Sequence, residues 1–272
     1  GTDRSRPEGQ GPGRIDAVNL YDRSQSRRYE FDGNVKDLVV YGDYLIAALG
    51  VNGVQVVHKN RPELQTVTFK FDDGLQKNQV NVVRLNRFGS LLMVSGSGGG
   101  VVALDISDPM EPRVISAGNQ EPFEALDYFK DRIVSVAGAK GLSVFELPGC
   151  FVAGSLPDEG RVIAAGEKYQ LTFNEYVTLA SLQAAGAVTV TEYDTGEPVD
   201  VQVTAVGGDN GTSDRFELEF DRQAGTDYEI RVNDARNLEG ESMWIPFTGH
   251  VKAASDQSAR PQVVFVENAL FN

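Results

Sequence analysis

The chain has 272 residues, which is long enough for one large domain or two of medium size. Its 39 acidic residues outnumber its 25 basic residues, so the formal net charge is −14 at pH 7. This charge argues against a nucleic-acid-binding protein, because phosphates require a basic surface. No run of about 18 apolar residues is present, and we therefore predict no membrane span in this chain.

Turn-forming residues are frequent, and helical periodicity is rare. The 29 glycines and 11 prolines predict an all-β chain with many turns, in which only residues 178–185 favour a helix. Residues 1–13 are polar and predict a flexible N-terminal segment. They contain neither an initiating Met nor a signal peptide, which is typical of a processed or cut terminus.

An internal repeat dominates the first half of the chain. Residues 35–58 align with residues 123–146 without a gap, at an offset of 88 residues (35 to 123). Residues 80–105 repeat the same unit with one extra residue in each turn. Unrelated hairpins need not place their glycines alike, so the match indicates a repeat. The first two segments are identical at Leu38/Leu126, Asp43/Asp131, Gly50/Gly138, Gly53/Gly141 and Val56/Val144.

Each repeat unit predicts four short antiparallel strands, with a glycine turn before the third and a proline-bearing loop before the fourth. Four strands in about 40–45 residues is the period of a β-propeller blade. We expect Gly53, Gly100 and Gly141 to occupy equivalent turns. Residues 17–31 supply two further strands. The prediction for residues 14–156 is therefore a partial β-propeller of about three and a half blades.

A ring of blades normally needs at least about four of them. The chain is therefore either part of a longer propeller, which we favour, or other copies complete the ring. The two end faces would be apolar and uncovered. Another chain, the rest of a parent protein or the folded-back second half would then cover them. The predicted end-face residues are Val35, Leu38 and Val40 at one end and Ile133, Val134 and Val136 at the other.

The blade at residues 91–117 resembles the LVIVD-type propeller repeat of bacterial surface and secreted proteins. The resemblance rests on a hydrophobic strand, a glycine turn, Asp105, the Asp108-Pro109 pair and Pro112. The other two units depart from the pattern, with His58 and Glu146 at the position of Asp105. The resemblance covers about residues 14–156 and implies a secreted or cell-surface location.

The second half shows strict alternation of apolar and polar residues. About seven strands between residues 157 and 253, with turns every 8 to 12 residues, predict an antiparallel sandwich of immunoglobulin type. Residues 254–272 are predicted as a linker and the start of a further strand or domain. The alternation predicts one core containing Leu171, Phe173, Val188, Val190, Phe216, Leu218, Phe220, Tyr228, Ile230 and Val232.

This half resembles the bacterial Ig-like domain of surface-layer proteins and adhesins. The resemblance rests on the strand LTFNEYV at 171–177, the hairpin at 188–199 and the strand YEIRVND at 228–234. The Gly-Asn that the family places after that Asp is absent here, since Arg236-Asn237 follows. The turn at this point is therefore expected to differ.

No catalytic or cofactor-binding residues are predicted, and we expect the chain not to be an enzyme. Its two histidines, His58 and His250, and its single cysteine, Cys150, show no ligand spacing for zinc. Cys150 is predicted to be a small buried hydrophobe. The glycines at 96–100 lack a following helix and Lys-Ser/Thr, so a turn between strands is favoured over a phosphate loop.

A calcium site is one of two interpretations of the paired carboxylates, because Ca²⁺ binds several oxygen ligands. The weak metal candidates are Asp105 with Asp108 and Asp209 with Asp214, and Asp72-Asp73 also pairs two carboxylates. The alternative is a solvated acidic surface. The aromatic residues Phe88, Tyr128 and Phe129 either line a sugar-binding rim or pack between blades.

Three functions remain open. The favoured one is a non-catalytic structural and interaction module of a large secreted or cell-surface bacterial protein, which acts as an adhesin-like spacer and binding surface. The alternatives are a fragment of a propeller enzyme whose site lies in missing blades, and a carbohydrate-binding module. The expected partners are the remaining blades or domains of a parent protein and a protein or glycan ligand.

Overall fold

The protein is all-β, as predicted. Among the residues described by this computed structural model there are 22 strands and one short helix, α1 (Leu179–Leu182), which lies within the predicted helical run. The described residues are 13–17, 24, 26–61, 66–69, 81–97, 100–118, 125–130, 132–136, 141–158, 160–209 and 211–255.

The first half forms a stack of antiparallel sheets, which we call the sheet stack. Each of its sheets is a meander, in which strands that follow one another along the chain pair with each other. The ribbon contains β1 (Gly13–Ala17) and β2 (Arg27–Phe31); the first sheet β3 (Asp37–Tyr41), β4 (Tyr44–Ala48), β5 (Val54–His58) and β6 (Thr66–Phe69); the second sheet β7 (Asn81–Phe88), β8 (Leu91–Ser97), β9 (Gly100–Asp105) and β10 (Arg113–Gly118); and the third sheet β11 (Ala125–Phe129), β12 (Arg132–Val136) and β13 (Leu142–Glu146).

The repeat offset of 88 residues recurs in the strands. β3, β4 and β5 begin at residues 37, 44 and 54, and β11, β12 and β13 begin at 125, 132 and 142. Gly53 and Gly141 lie directly before the third strands with φ of 84° and 87°, and Gly100 is the first residue of the third strand of its sheet. Their predicted equivalence is confirmed. Asp131 and Gly138 lie outside the described residues.

The first turn of each unit is also equivalent. Gly42, Gly89 and Lys130 each follow the first strand and have φ of 52°, 51° and 54°. This left-handed conformation is easy for glycine but costs an L-residue about 1–2 kcal/mol. Lys130 therefore adopts a left-handed backbone conformation at a position where the other two units have glycine.

Neighbouring sheets enclose apolar cores between their faces, which produces a propeller-like arrangement. Leu45 and Ala47 of β4 face the ribbon, whereas Ile46 and Ala48 face the second sheet. The second sheet packs its other face, including Leu91, on the third sheet. The central strands β4 and β8 are largely continuous apolar runs because both of their faces are covered.

The second half, which we call the two-sheet unit, contains two sheets around one core. All described pairings in it are antiparallel except β15 with β22. The four-stranded sheet has the order β14 (Val152–Leu156), β16 (Tyr169–Thr178), β20 (Thr212–Phe220) and β19 (Val201–Ala205); the five-stranded sheet has the order β15 (Arg161–Ile163), β22 (Phe247–Ala253), β21 (Asp227–Val232), β17 (Val188–Glu192) and β18 (Pro198–Val199).

The expected boundary between residues 156 and 157 is not where the strand pairing changes. β14 precedes that boundary, yet it pairs with β16 and not with β13. Val152 is buried in the same core as Phe173, with which it is paired, so apolar burial draws β14 into the two-sheet unit. The third sheet consequently has three described strands.

The core of the two-sheet unit contains all ten side chains predicted from alternation. Phe173 and Phe216 pack edge to face, with ring centroids 5.7 Å apart and an interplanar angle of 87°. Strand periodicity therefore predicted the buried faces of these strands correctly, because successive side chains of a strand point to opposite faces.

The predicted exposure of the end faces is correct only in part. Ile133 is buried against the second sheet, so this prediction was wrong. Val35, Leu38 and Val134 are partly exposed, as expected, although Val35 and Leu38 pack against the core beneath the ribbon. Val40 and Val136 are exposed, as expected. The ribbon turns a charged face outward, with the ion pairs Arg14–Glu30 and Arg28–Asp16 at 3.5 and 2.7 Å.

Truncation of Phe173 tests the core. We expect Phe173→Ala to lower the free energy of unfolding by about 3–5 kcal/mol, because a large buried ring is removed and a cavity remains. Urea unfolding measures the loss. The control is Tyr176→Ala on the same strand, where the ring is exposed and the effect should be small. Equal losses in the two variants would contradict the assignment of the core.

A second variant tests the left-handed turn. We expect Lys130→Gly to raise the free energy of unfolding by about 0.5–1 kcal/mol, because glycine relieves the strained backbone but loses more conformational freedom on folding. Urea unfolding again provides the measurement. Arg132→Gly, in the following strand, is the control and should destabilise, and a loss of stability in Lys130→Gly itself would rule out the strained turn.

Candidate functional site

A buried polar contact joins the sheet stack to the two-sheet unit. The Tyr41 hydroxyl donates to the Thr248 carbonyl at 2.5 Å, and its oxygen lies 2.8 Å from the Ser90 hydroxyl. The Thr248 amide donates to the same Ser90 oxygen at 3.2 Å. All three residues are buried. The first sheet, the second sheet and β22 are therefore tied together by a hydrogen-bond network whose partners satisfy one another.

The other first turns of the sheet stack also contact the two-sheet unit. A Cβ on Gly89 would lie 1.9 Å from the Val152 carbonyl oxygen, so only glycine permits this approach. Asn174 accepts a hydrogen bond from the Phe151 amide at 2.7 Å and donates to the Lys130 carbonyl at 2.9 Å. Equivalent turns of all three sheets thus contact the two-sheet unit.

A cleft of about 180 Å³, which we call the junction cleft, lies at this contact. One wall comes from the turns of the first and second sheets, and the other comes from the outer face of the five-stranded sheet. Its lining residues are Tyr41, Gly42, Tyr44, Ser107, Asp108, Pro109, Tyr193, Glu229, Arg231, Thr248 and His250.

The charged groups of the cleft are arranged on neighbouring strands. The Arg231 Nε donates to the Glu229 carboxylate at 2.7 Å, and the His250 Nε2 lies 3.7 Å from the other oxygen of that carboxylate. Burial lowers the pKa of His250 below its usual value, although Glu229 acts in the opposite direction. His250 is therefore neutral near pH 7.

Two tyrosines form the aromatic part of the cleft, and each one contacts a histidine edge to face. The ring centroids are 5.0 Å apart for Tyr44 and His58 and 4.8 Å apart for Tyr193 and His250. Burial raises the pKa of Tyr44 to about 12, with a smaller contribution from the neighbouring Tyr193. Both of the chain's histidines thus lie beside the cleft tyrosines, and the phenol of Tyr44 stays protonated at neutral pH.

Sequence reasoning missed this cluster, although the repeat contains a signal for it. Tyr44 and His58 are a cross-strand pair of the first sheet. The equivalent pair in the third sheet, 88 residues later, is Arg132 and Glu146, an ion pair at 3.7 Å. Where one repeat has an exposed ion pair, the other has two aromatic rings. This difference indicates that the rings serve a purpose specific to the first sheet.

The four metal candidates lie in two regions of the chain. Asp105 is buried, pairs with Arg113 and accepts a hydrogen bond from the Ser107 amide, whereas Asp108 lines the junction cleft. Asp209 and Asp214 lie at a turn and in β20 of the two-sheet unit. No group of three or more His, Cys, Asp or Glu suited to a metal occurs in the part of the chain that the structure describes. Asp72 and Asp73 fall outside it.

The remaining singled-out residues pack in cores, with one exception. Cys150 is fully buried, and burial raises the pKa of its thiol to about 12, so the thiolate is strongly disfavoured. Phe88 and Tyr128 pack edge to face at 5.3 Å, inside the core between the second and third sheets. Phe129 is exposed beneath the Lys130 ammonium. These three aromatic residues do not form a common rim.

Comparisons with known proteins do not identify a family. No protein-family model and no curated protein matches the chain. Among solved structures, the dihydro-heme d1 dehydrogenase NirN has a TM-score of 0.40 at 10% identity, with 89% of this chain and 64% of NirN covered. The extracellular domain of the hybrid two-component system BT4673 from B. thetaiotaomicron has a TM-score of 0.37 at 11% identity, with 91% and 36% covered.

A third similar structure is PorZ, a bacterial surface component of the type-IX secretion system of Porphyromonas gingivalis. Its TM-score is 0.34 at 11% identity, and the match covers 85% of this chain and 33% of PorZ. The chain thus spans about a third of BT4673 and of PorZ. All three TM-scores are low, so these similarities carry no weight for function. Among the described residues, no helix has the length and apolar character needed to cross a membrane.

The histidines beside the cleft predict a pH dependence of stability. Burial lowers the pKa of both His58 and His250 below 6.5 in the folded protein, so the unfolded chain takes up these protons first as the pH falls. We expect the free energy of unfolding to be highest above about pH 7.5 and to decrease as the pH falls through 6.5 toward about 5.5.

Urea unfolding across this pH range measures the effect. Burial is the main cause of both shifts, while Asp43, Asp227 and Glu229 oppose it with their negative charges. His250→Gln should make the decrease shallower, because the substituted side chain does not titrate. Stability that is constant or rises on acidification in this range would show that neither histidine is held neutral by the fold.

Proposed function

We propose that the chain is a non-catalytic structural and interaction module of a secreted or cell-surface bacterial protein, with an adhesin-like role as spacer and binding surface. We also propose that the sheet stack is built from LVIVD-type blades of an incomplete propeller and that the two-sheet unit is Ig-like. One observation carries the proposed function: the third sheet has an uncovered apolar face. The resemblance of both halves to surface and secreted families supports the location.

The repeat shows what this face lacks. In the first sheet, Tyr41, Ile46, Ala48, Val54 and Val56 are all buried beneath the second sheet, with exposed fractions of 2% or less. The residues 88 positions later belong to the third sheet, and we call them its outer face. Here Phe129 is 67%, Val136 44%, Leu142 63% and Val144 51% exposed, and Val134 is partly buried.

A further blade-like sheet fits the outer face, because a sheet of that kind covers the same register positions in the first sheet. The remaining blades of a longer parent protein are therefore the proposed partner.

The opposite end of the stack differs in chemistry. The outward face of the ribbon carries the ion pairs of Arg14 with Glu30 and of Arg28 with Asp16. A polar outer face is typical of a terminal, capping unit. The stack therefore presents one end suited to water and one end suited to an apolar partner, as expected of a module that docks in one direction.

Matched substitutions at one repeat position test the uncovered face. Val144→Lys should leave the free energy of unfolding within about 0.5 kcal/mol, because the side chain is half exposed. It should also weaken the binding of a hydrophobic dye. Val56→Lys, 88 residues earlier, should prevent stable folding, because it buries an unpaired charge.

Urea unfolding, dye fluorescence and light scattering are the measurements. If Val144→Lys destabilises the protein as much as Val56→Lys does, the outer face is already covered within the chain. A wild-type protein that stays monomeric and binds no dye would likewise contradict an interaction surface at this place.

A further inference from the structure

We propose that the junction cleft binds one ring of a neutral saccharide and that the adjoining groove binds the next rings of an oligosaccharide chain. The groove, which we call the edge groove, has a volume of about 940 Å³ and runs along β17 and β19. This inference goes beyond the proposed interaction module and does not depend on the outer face of the third sheet.

The dimensions indicate a ligand made of small units. At about 180 Å³ the junction cleft is smaller than the roughly 300 Å³ at which pockets for drug-sized ligands begin. Glu229 and Arg231 line both the junction cleft and the edge groove, so the two adjoin at these side chains. A chain of small rings fits one narrow recess followed by a longer groove.

The cleft offers hydrogen-bonding groups of both kinds. The carboxylates of Asp108 and Glu229 accept, and the guanidinium of Arg231 donates. The hydroxyls of Tyr44 and Tyr193 both donate and accept, and neither has a hydrogen-bond partner among the described residues. Adjacent hydroxyls of a sugar need donors and acceptors side by side, as a carboxylate and a guanidinium on one strand provide.

The rings of Tyr44 and Tyr193 supply the second feature of a sugar site. The ring of Tyr193 is half exposed, and Tyr44 is partly buried beside it. An aromatic side chain with a polar tip presents an apolar surface next to a hydroxyl. The C–H face of a sugar ring can lie on such a surface while its hydroxyls reach the charged groups.

The charges of the cleft oppose an anionic ligand. Asp108, Glu229 and the nearby Asp43 are acidic, which disfavours phosphorylated or acidic sugars as ligands. Arg231 already pairs with Glu229, and His250 is neutral near pH 7. A neutral polyhydroxy compound avoids this repulsion and can hydrogen-bond to the groups of the cleft.

The edge groove supports a sugar chain over a peptide strand. An added strand would need the free backbone groups of β19, but the Gln183 side chain donates to the Val203 carbonyl at 3.1 Å and occupies one of them. Hydroxyl and amide side chains line the groove at Thr189, Thr191, Gln202 and Thr204. These groups hydrogen-bond to sugar hydroxyls without requiring a free sheet edge.

Saturation-transfer NMR and calorimetric titration of the intact chain test the proposal. The probes are neutral gluco-, manno-, galacto- and xylo-oligosaccharides of one to five units, an oligogalacturonate, and an extended neutral peptide. We expect at least one neutral series to bind, with affinity that increases with chain length, and the galacturonate and the peptide to bind more weakly or not at all.

Variants locate the binding site. Tyr193→Ala and Arg231→Ala should each weaken binding of that series by about tenfold or more, which corresponds to about 1.4 kcal/mol. Tyr176→Ala is the matched control, since it removes an equally exposed tyrosine ring outside the cleft and should leave the affinity unchanged. Thermal unfolding confirms that all three variants remain folded.

The proposal is overturned if no neutral series binds, if the galacturonate or the peptide binds best, or if Tyr193→Ala binds as well as the control. None of these outcomes affects the test of Val144 and Val56, which examines the other surface. Failure of saccharide binding and failure of the interaction module can therefore be told apart.

Discussion

The hydrogen bonds among Tyr41, Ser90 and Thr248 are the constraint on which the arrangement of the two halves depends. Three buried polar groups from three different sheets satisfy one another, so moving any sheet away would leave buried donors or acceptors unpaired. The network fixes the turns of the first and second sheets against β22. The junction cleft lies beside that contact, and Tyr41 and Thr248 are among its lining residues.

The sheet stack follows a simpler rule. Each sheet buries apolar side chains on the face that meets its neighbour, so only the two ends of the stack have a face exposed to water. The exposed face of the ribbon carries two ion pairs, whereas the exposed face of the third sheet keeps the apolar residues of an interior blade. Val56 and Val144 occupy the same repeat position and differ only in whether another sheet lies above them.

The candidate site lies at a departure from the repeat. The Tyr44–His58 pair replaces the Arg132–Glu146 ion pair of the third sheet, and it lies where the five-stranded sheet approaches. Burial at the junction cleft alters the properties of these groups, since it raises the pKa of Tyr44 and lowers the pKa of His250. A repeat scaffold and a non-repeating neighbour together create an environment that neither has alone.

Much of the fold was predictable from the sequence because it depends on local periodicity. The offset of 88 residues placed the strands of the first and third sheets, and two-residue alternation identified the core of the two-sheet unit, including Phe173 and Phe216. Alternation alone does not say which sheet a strand joins. β14 therefore pairs with β16 rather than with β13. The end-face prediction for Ile133 was wrong, because that side chain points to the face that packs on the second sheet.

The site depends on contacts between residues far apart in the chain, and only the tertiary structure decided it. Tyr44, Asp108, Tyr193 and Glu229 come from four separate turns and strands, and no spacing in the sequence relates them. Asp105 and Asp108 looked alike in the sequence, yet Arg113 pairs with the first and the second lines the cleft. The sequence determined the strands and their buried faces, because each strand's pattern is local. The packing of one half on the other determined the cleft, because burial and charge there are the sum of groups from both halves.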